Sequence, residues 1–195
     1  MTQEKLPAIP GETQDLATFP ALQDAGDRRT ITPAMIHALI QWSANYGLDP
    51  WQGHTCYMYG KPYVTEKGAM ANAKRYTEYA GHACRLIPQA DHEARGFGKE
   101  DMVWECTVWV RGLDHPVIEY GEVTEIELQM LKAQVERNVR EEARNFGKSP
   151  AELERLVFER LQFLPLTKSP GKMARARAIR RAHLLAFPLK GEGGG

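Results

Sequence analysis

Apolar residues first recur at helical spacing after Thr32-Pro33, where Met35, Ile36, Leu39, Ile40 and Trp42 share one side of a helix reaching Tyr46. Threonine before proline is a helix start, and Gly47 is the stop. The turn Leu48-Asp49-Pro50-Trp51 follows, and the period then drops to two. Residues 54–59 and 62–65 are β-rich runs around Gly60-Lys61, which predicts a hairpin. Residues 66–79 return to helical composition, end near Gly81 and present Lys74 and Arg75 near that end. Residues 82–87 read as a strand, and residues 91–101, around Gly96-Phe97-Gly98, as a mobile loop. Residues 102–111 alternate, with Val103, Glu105, Thr107 and Trp109 on one side and Trp104, Cys106, Val108 and Val110 on the other. Residues 115–120 come after Gly112-Leu113-Asp114, so a second hairpin is predicted.

From Thr124 the pattern is helical. Thr124 with Glu127, and Ser149 with Glu152, are capping boxes, and Pro150 takes a first helical position. The first of these helices carries the stripe Leu128, Leu131, Val135 and Val139 and ends at Gly147; the second stops before Pro165. Ser169-Pro170 opens a last helix running to Phe187. Its small-residue stripe, Ala174, Ala178, Ala182 and Leu185, suits close packing on a sheet or another helix. The elements sum to an α+β fold, a short antiparallel sheet with hairpins packed on helices and a helical C-terminal half. Residues 1–29 read as a flexible arm, 30–190 as the core domain and 191–195 as a flexible tip.

Charge sharpens the picture at one place. The 195 residues hold 25 basic and 25 acidic side chains, so overall charge points to no partner. Yet no acid lies between Glu159 and Glu192, while Arg160, Lys168, Lys172, Arg175, Arg177, Arg180, Arg181 and Lys190 all do. Ordinary surface helices interleave both signs, and a ridge of one sign suits a polyanion backbone. Lys172 and Arg175 border one edge of the small-residue stripe, Arg177 and Arg180 the other. Lys61, Lys74 and Arg75 add cations near the first hairpin and the helix after it. Tyr57, Tyr59, Tyr63, Trp104, Trp109 and Tyr120 stand on or beside strands. Cations that track phosphates and rings that stack on bases together hold single strands, although an alternating strand also buries some of its rings in a core.

Other chemistry is thinly supported. No GxxxxGK[ST] loop or GxGxxG motif occurs, so nothing points to ATP-driven action. Cys56, Cys84 and Cys106 are odd in number and lack a CxxC partner, which fits buried thiols in a reducing compartment better than a zinc site with His54 or His82. No signal peptide or long apolar run appears, and a cytoplasmic place in a bacterial cell is expected. No cofactor is required; Mg²⁺ enters only through a competing reading, a Mg²⁺-dependent nuclease using carboxylates of residues 91–105. A non-enzymatic RNA-binding or scaffold protein is the third class.

Two segments resemble the RecT/Redβ (Bet) family of phage single-strand annealing proteins. One is Tyr46-Gly47-Leu48-Asp49-Pro50-Trp51 with the run YMYGKPYVTEKGAMANA of residues 57–73, followed by Tyr79-Ala80-Gly81. The other runs from Ser169-Pro170-Gly171-Lys172-Met173 through Ala178, Arg180 and Arg181 to Ala186-Phe187-Pro188. With the strands between them, the resemblance covers roughly residues 30–190. Residues 164–166 depart from it, since the family commonly carries a tryptophan there.

The resemblance implies ATP-independent annealing of complementary DNA in recombination, rings or helical filaments of identical subunits, and single-stranded and annealed duplex DNA as ligands. Lys172, Arg175 and Arg181 fall where the family places cationic DNA contacts; Arg177, Arg180 and Lys168 join them on charge alone. The family also works with an exonuclease or a host single-strand-binding protein, through a module that follows the helix. This chain stops soon after its helix, so that expectation rests on the resemblance alone. The expected binding site is a groove floored by the last helix and walled by the first hairpin, with bases left open to a second strand.

Overall fold

In the computed structural model, which describes residues 31–146 and 149–191, Thr32 Oγ1 accepts a hydrogen bond of 3.3 Å from the Met35 N–H and starts helix α1 (Pro33–Ala44). Ile36 and Leu39 bury against Ile31 and Tyr57, the small core of a first compact unit that contains, among the described residues, 31–68 and Gly191. Ser43 Oγ donates to the Leu39 carbonyl at 2.6 Å and meets Thr55 Oγ1 at 2.7 Å, which pins α1 to strand β1 (Thr55–Met58). Strand β2 (Lys61–Val64) pairs antiparallel with β1, Met58 opposite Lys61. The turn is therefore Tyr59-Gly60, one residue earlier than the sequence pattern suggested, and Lys61 is a strand residue. Residues 1–29, the expected arm, residue 30 at the start of the expected core domain, and 192–195 of the expected tip lie outside the described residues.

Helix α2 (Glu66–Ala73) stops six residues short of its expected end. Residues 74–78 form a connection, and strand β3 (Tyr79–Leu86) begins at the expected helix end, because Tyr79 pairs with Val110 and the ladder absorbs a register shift between Tyr79 and His82, with Gly81 at φ +111 between them. A ladder partner outweighs local helical composition. Lys74 and Arg75 consequently sit in the connection after α2.

The second unit, residues 69–190, centres on a three-stranded antiparallel sheet in the order β3, β4 (Met102–Val110), β5 (Val117–Val123). The alternation read from β4 is borne out. Cys106 and Val108 face the main core with Ala178, Ile179, Ala182 and Phe187, and Val103 and Glu105 are buried on the other face. The segment expected as a mobile loop packs beside Glu105. It forms two short 3-10 turns, Gln89–Asp91 and Glu93–Arg95, and buries His92, whose ring nitrogens face the carbonyls of Ile87 and Gly98.

Helix α3 (Glu125–Phe146) opens with Thr124 Oγ1 accepting from the Glu127 N–H at 3.0 Å. Helix α4 (Pro150–Phe163) carries the full Ser149–Glu152 capping box and packs on α3, where Val135, Val139 and Ala143 are buried. The Gly147 stop lies outside the described residues. After the single turn α5 (Pro165–Lys168) comes α6 (Pro170–Ala186). Ser169 precedes α6 as expected but makes no side-chain cap: its backbone, at φ −150 and ψ 64, lacks the extended geometry that turns a cap oxygen onto the first N–H groups. No helix among the described residues is long and apolar enough to cross a membrane.

Candidate nucleic-acid interface

Three alanines press α6 onto the sheet. Ala174, Ala178 and Ala182 are wholly buried, and opposite them β5 presents Gly121. A Cβ on Gly121 would fall 2.1 Å from the Ala174 carbonyl oxygen and 2.2 Å from the Ala178 nitrogen, so helix and strand meet backbone to backbone. The small-residue stripe is thus the contact, with one correction. Leu185 is 60% exposed, and Ile179 and His183 complete the buried face in its place.

Under this seat lies a polar cluster that the chain pattern did not reveal. His183 Nδ1–H donates to the Ile179 carbonyl at 2.8 Å, which leaves Nε2 as an acceptor 3.5 Å from the Tyr79 hydroxyl. That hydroxyl also lies 2.7 Å from His82 Nδ1, and the two imidazoles pack edge to face. Burial pushes both histidines below their ordinary range. His82 is lowered further by the nearby positive charges of Arg175 and Lys74, and His183 by His82. Both sites are built for neutral imidazole. Beside them Cys84 stands opposite Cys106 across the β3–β4 ladder. The Cys106 thiol is pushed strongly upward by its hydrogen bond with Cys84 and by burial, so these are core thiols.

The cations divide by their place on α6. On the edge toward β3 and β4, Lys172 and Arg175 are exposed, and the Arg175 guanidinium stands 5.8 Å from the centre of the Trp104 ring. Lys74, also exposed, shares the surroundings of His82 with Arg175, so two cations 101 residues apart in sequence converge there. On the edge toward β5 and α3, Arg177 grips Glu127 with both Nη atoms, at 2.7 and 2.6 Å, and donates to the Glu122 carbonyl at 2.6 Å. Arg177, selected as a DNA contact on charge alone, is thus a brace between elements in this fold. Glu127, supplied from 50 residues upstream, was invisible to a count along the helix.

Arg181 is exposed and donates from Nη1 to the Tyr120 carbonyl at 2.8 Å, which anchors one end of its guanidinium fork. Arg180 is half-buried, and Lys168 is exposed at the end of α5. Arg75 is exposed beside Lys74; Lys61 is exposed in the first unit. The connection carrying Lys74 and Arg75 is tied to the end of α6, since Asn72 Nδ2 donates to the Phe187 carbonyl at 2.8 Å and the Tyr76 hydroxyl to the Pro188 carbonyl at 3.0 Å.

The opposite face of the sheet is engaged elsewhere. Glu105 accepts from Arg85 at 2.7 Å and Arg95 at 3.2 Å, which holds its carboxyl below the usual range, and Arg95 also reaches the Tyr120 hydroxyl at 3.0 Å. Asp101 accepts from the Gly98 and Glu125 N–H groups. Two of the carboxylates on which a nuclease would draw are thus committed to holding the fold. Set beside known protein families and curated proteins, the chain matches no family model and no curated sequence.

Proposed function

We propose that this protein binds single-stranded DNA along the exposed cations of α6 and brings complementary strands together without nucleotide hydrolysis. The observation that carries the proposal is the seating of α6. Its small residues lie flat on the sheet, while Lys172 and Arg175 stand exposed on one edge, where Arg175 and the exposed Lys74 both act on His82, and Arg181 stands on the other. A rigid helix with its cations turned outward, in a stretch of sequence without acids, complements a phosphate chain.

Annealing needs little else. Base stacking supplies on the order of 1.4 kcal/mol per base-pair step, so the protein has only to offset strand repulsion and keep the Watson–Crick edges accessible. Assembly of several copies along a strand, cooperation with a recombination exonuclease or host single-strand-binding protein, and work in the bacterial cytoplasm belong to the same proposal. The three free thiols fit a reducing compartment.

The direct test follows the annealing of complementary dye-labelled oligonucleotides with no nucleotide present. Acceleration that falls steeply as salt is raised is expected. Shortening of a labelled strand in Mg²⁺, or acceleration confined to RNA, would transfer the protein to a different class.

A further inference from the structure

Tyr59 occupies a backbone position that a tyrosine rarely adopts. The pairing of Met58 with Lys61 leaves a two-residue turn, and both residues in it have positive φ, Tyr59 at 53 and Gly60 at 72. Such a turn is ordinarily Asn-Gly or Gly-Gly, because a bulky side chain in left-handed backbone is strained. Among the described residues Tyr59 is the one non-glycine with positive φ. Its side chain gains no burial in return, for the residue is 71% exposed, more than any other large hydrophobic named among the described residues. The fold by itself would be better served by asparagine.

The other aromatic residues near strands are used differently. Tyr57 is 5% exposed with its hydroxyl on the Met35 carbonyl, and Tyr63, Trp104 and Tyr120 are half-buried. Trp109, 43% exposed, sits in an extended strand that favours a large aromatic in any case. What surrounds Tyr59 points to the chemistry of a ligand. From residue 54 to residue 65 the hairpin contains no aspartate or glutamate, and Lys61 is exposed two positions from the ring. An exposed ring two residues from an exposed cation, with no acid in the hairpin, matches a nucleobase and its phosphate; every base offers a π-face.

We infer that Tyr59 is a stacking prong that meets an unpaired base of single-stranded nucleic acid, with Lys61 on the adjoining phosphate. The inference rests on the proposed binding of single strands and adds the residue at which a base, in place of the backbone, is touched. Strain held at a binding position and compensated by the rest of the fold is a recognised pattern.

The test uses the full chain, a dye-labelled oligothymidine, and the variants Tyr59→Asn, Tyr59→Gly, Tyr59→Phe and Tyr59→Trp. Tyr59→Asn and Tyr59→Gly should raise the melting temperature by relieving the turn, yet weaken oligothymidine binding by roughly tenfold, the loss expected for one stacked base. Tyr59→Phe and Tyr59→Trp should bind like the parent, and oligothymidine should quench the extra emission of Tyr59→Trp. Parent-like binding by well-folded Tyr59→Asn and Tyr59→Gly overturns the prong and leaves the proposed function standing. An unmodified chain that binds no single strand overturns both. Unchanged DNA affinity with a smaller assembly by light scattering overturns the nucleobase assignment and gives the ring to a contact between copies.

Discussion

Arg177 and Glu127 close on each other through two hydrogen bonds, Nη1 to Oε2 at 2.7 Å and Nη2 to Oε1 at 2.6 Å, across 50 residues of sequence. The same guanidinium holds the Glu122 carbonyl, so one side chain ties α6 to β5 and to the first turn of α3. Both partners keep about a third of their side-chain surface in water or slightly less, 27% and 36%, which limits what the ionic part contributes. Arg177→Gln should cost roughly 1–2 kcal/mol in a urea melt, with Glu127→Gln similar. The double variant should cost clearly less than the sum. Strictly additive losses would show that the two groups are not coupled in solution.

Arg177 also sets one part of the pH dependence. Its hydrogen bond lowers the Glu127 carboxyl below its ordinary value of 4.5, so the stabilisation is present above that value and is lost as pH falls through the folded-state one. The gap in stability between the parent chain and Arg177→Gln should be full at neutral pH and close in acid. A gap that stays constant down to the lowest pH at which the chain folds would refute the pairing.

His183 acts earlier on the same descent. Burial lowers it from 6.5, so the unfolded chain takes up a proton that the folded one resists. Stability conferred by the neutral ring is complete above pH 6.5 and declines as pH drops below it. His82, lowered by burial and by Arg175 and Lys74, adds to this slope. A His183→Gln variant should show a flatter stability profile between about pH 7 and 5 than the parent, whatever its absolute loss. An identical slope in the two proteins would remove His183 as its source.

Gly121 offers a test of how α6 is seated. An added Cβ would meet main-chain atoms of Ala174 and Ala178 at 2.1 and 2.2 Å, and main chain cannot swing aside as a side chain can. Gly121→Ala should cost about 3 kcal/mol or more, at the upper end of overpacking changes. Gly171→Ala is the control. Its nearest neighbours would be Met102 side-chain atoms at 3.7 Å, so it should be neutral or slightly stabilising through better helix propensity. Equal tolerance of both substitutions would mean that α6 does not lie on β5 in this way.

Much of this arrangement was legible because it depends on local periodicity. The alternation of β4 separated Cys106 and Val108 from Val103 and Glu105, and the alanines of α6 announced a close contact. What was misread depends on partners distant in sequence. Residues 79–81 read with the helix before them, yet belong to β3, whose Tyr79 pairs with Val110 of β4. Leu185 belongs to the stripe by angle but lies beyond the sheet's cover, while His183, polar by type, is wholly buried. Arg177 looked like Arg175 until the fold delivered Glu127 to it. One-dimensional charge counting registers the acids beside a helix in sequence and misses those brought to it in space.

Lys172 and Arg175 therefore carry the sharpest functional prediction. Both are exposed, and neither is joined to a carboxylate by an ion pair identified among the described residues. Lys172→Glu and Arg175→Glu should leave stability within about 0.5 kcal/mol of the parent, as surface changes usually do. Each should weaken oligothymidine binding and reduce the slope of log affinity against log salt by roughly 0.7, the share of one phosphate contact on a single strand. Arg177→Gln should behave in the opposite manner, lowering stability while leaving the salt slope close to that of the parent. Fluorescence anisotropy across a salt series, set beside melts of the same preparations, separates the two behaviours. Unchanged slopes for both Lys172→Glu and Arg175→Glu in folded protein would take the phosphate chain away from this edge of α6.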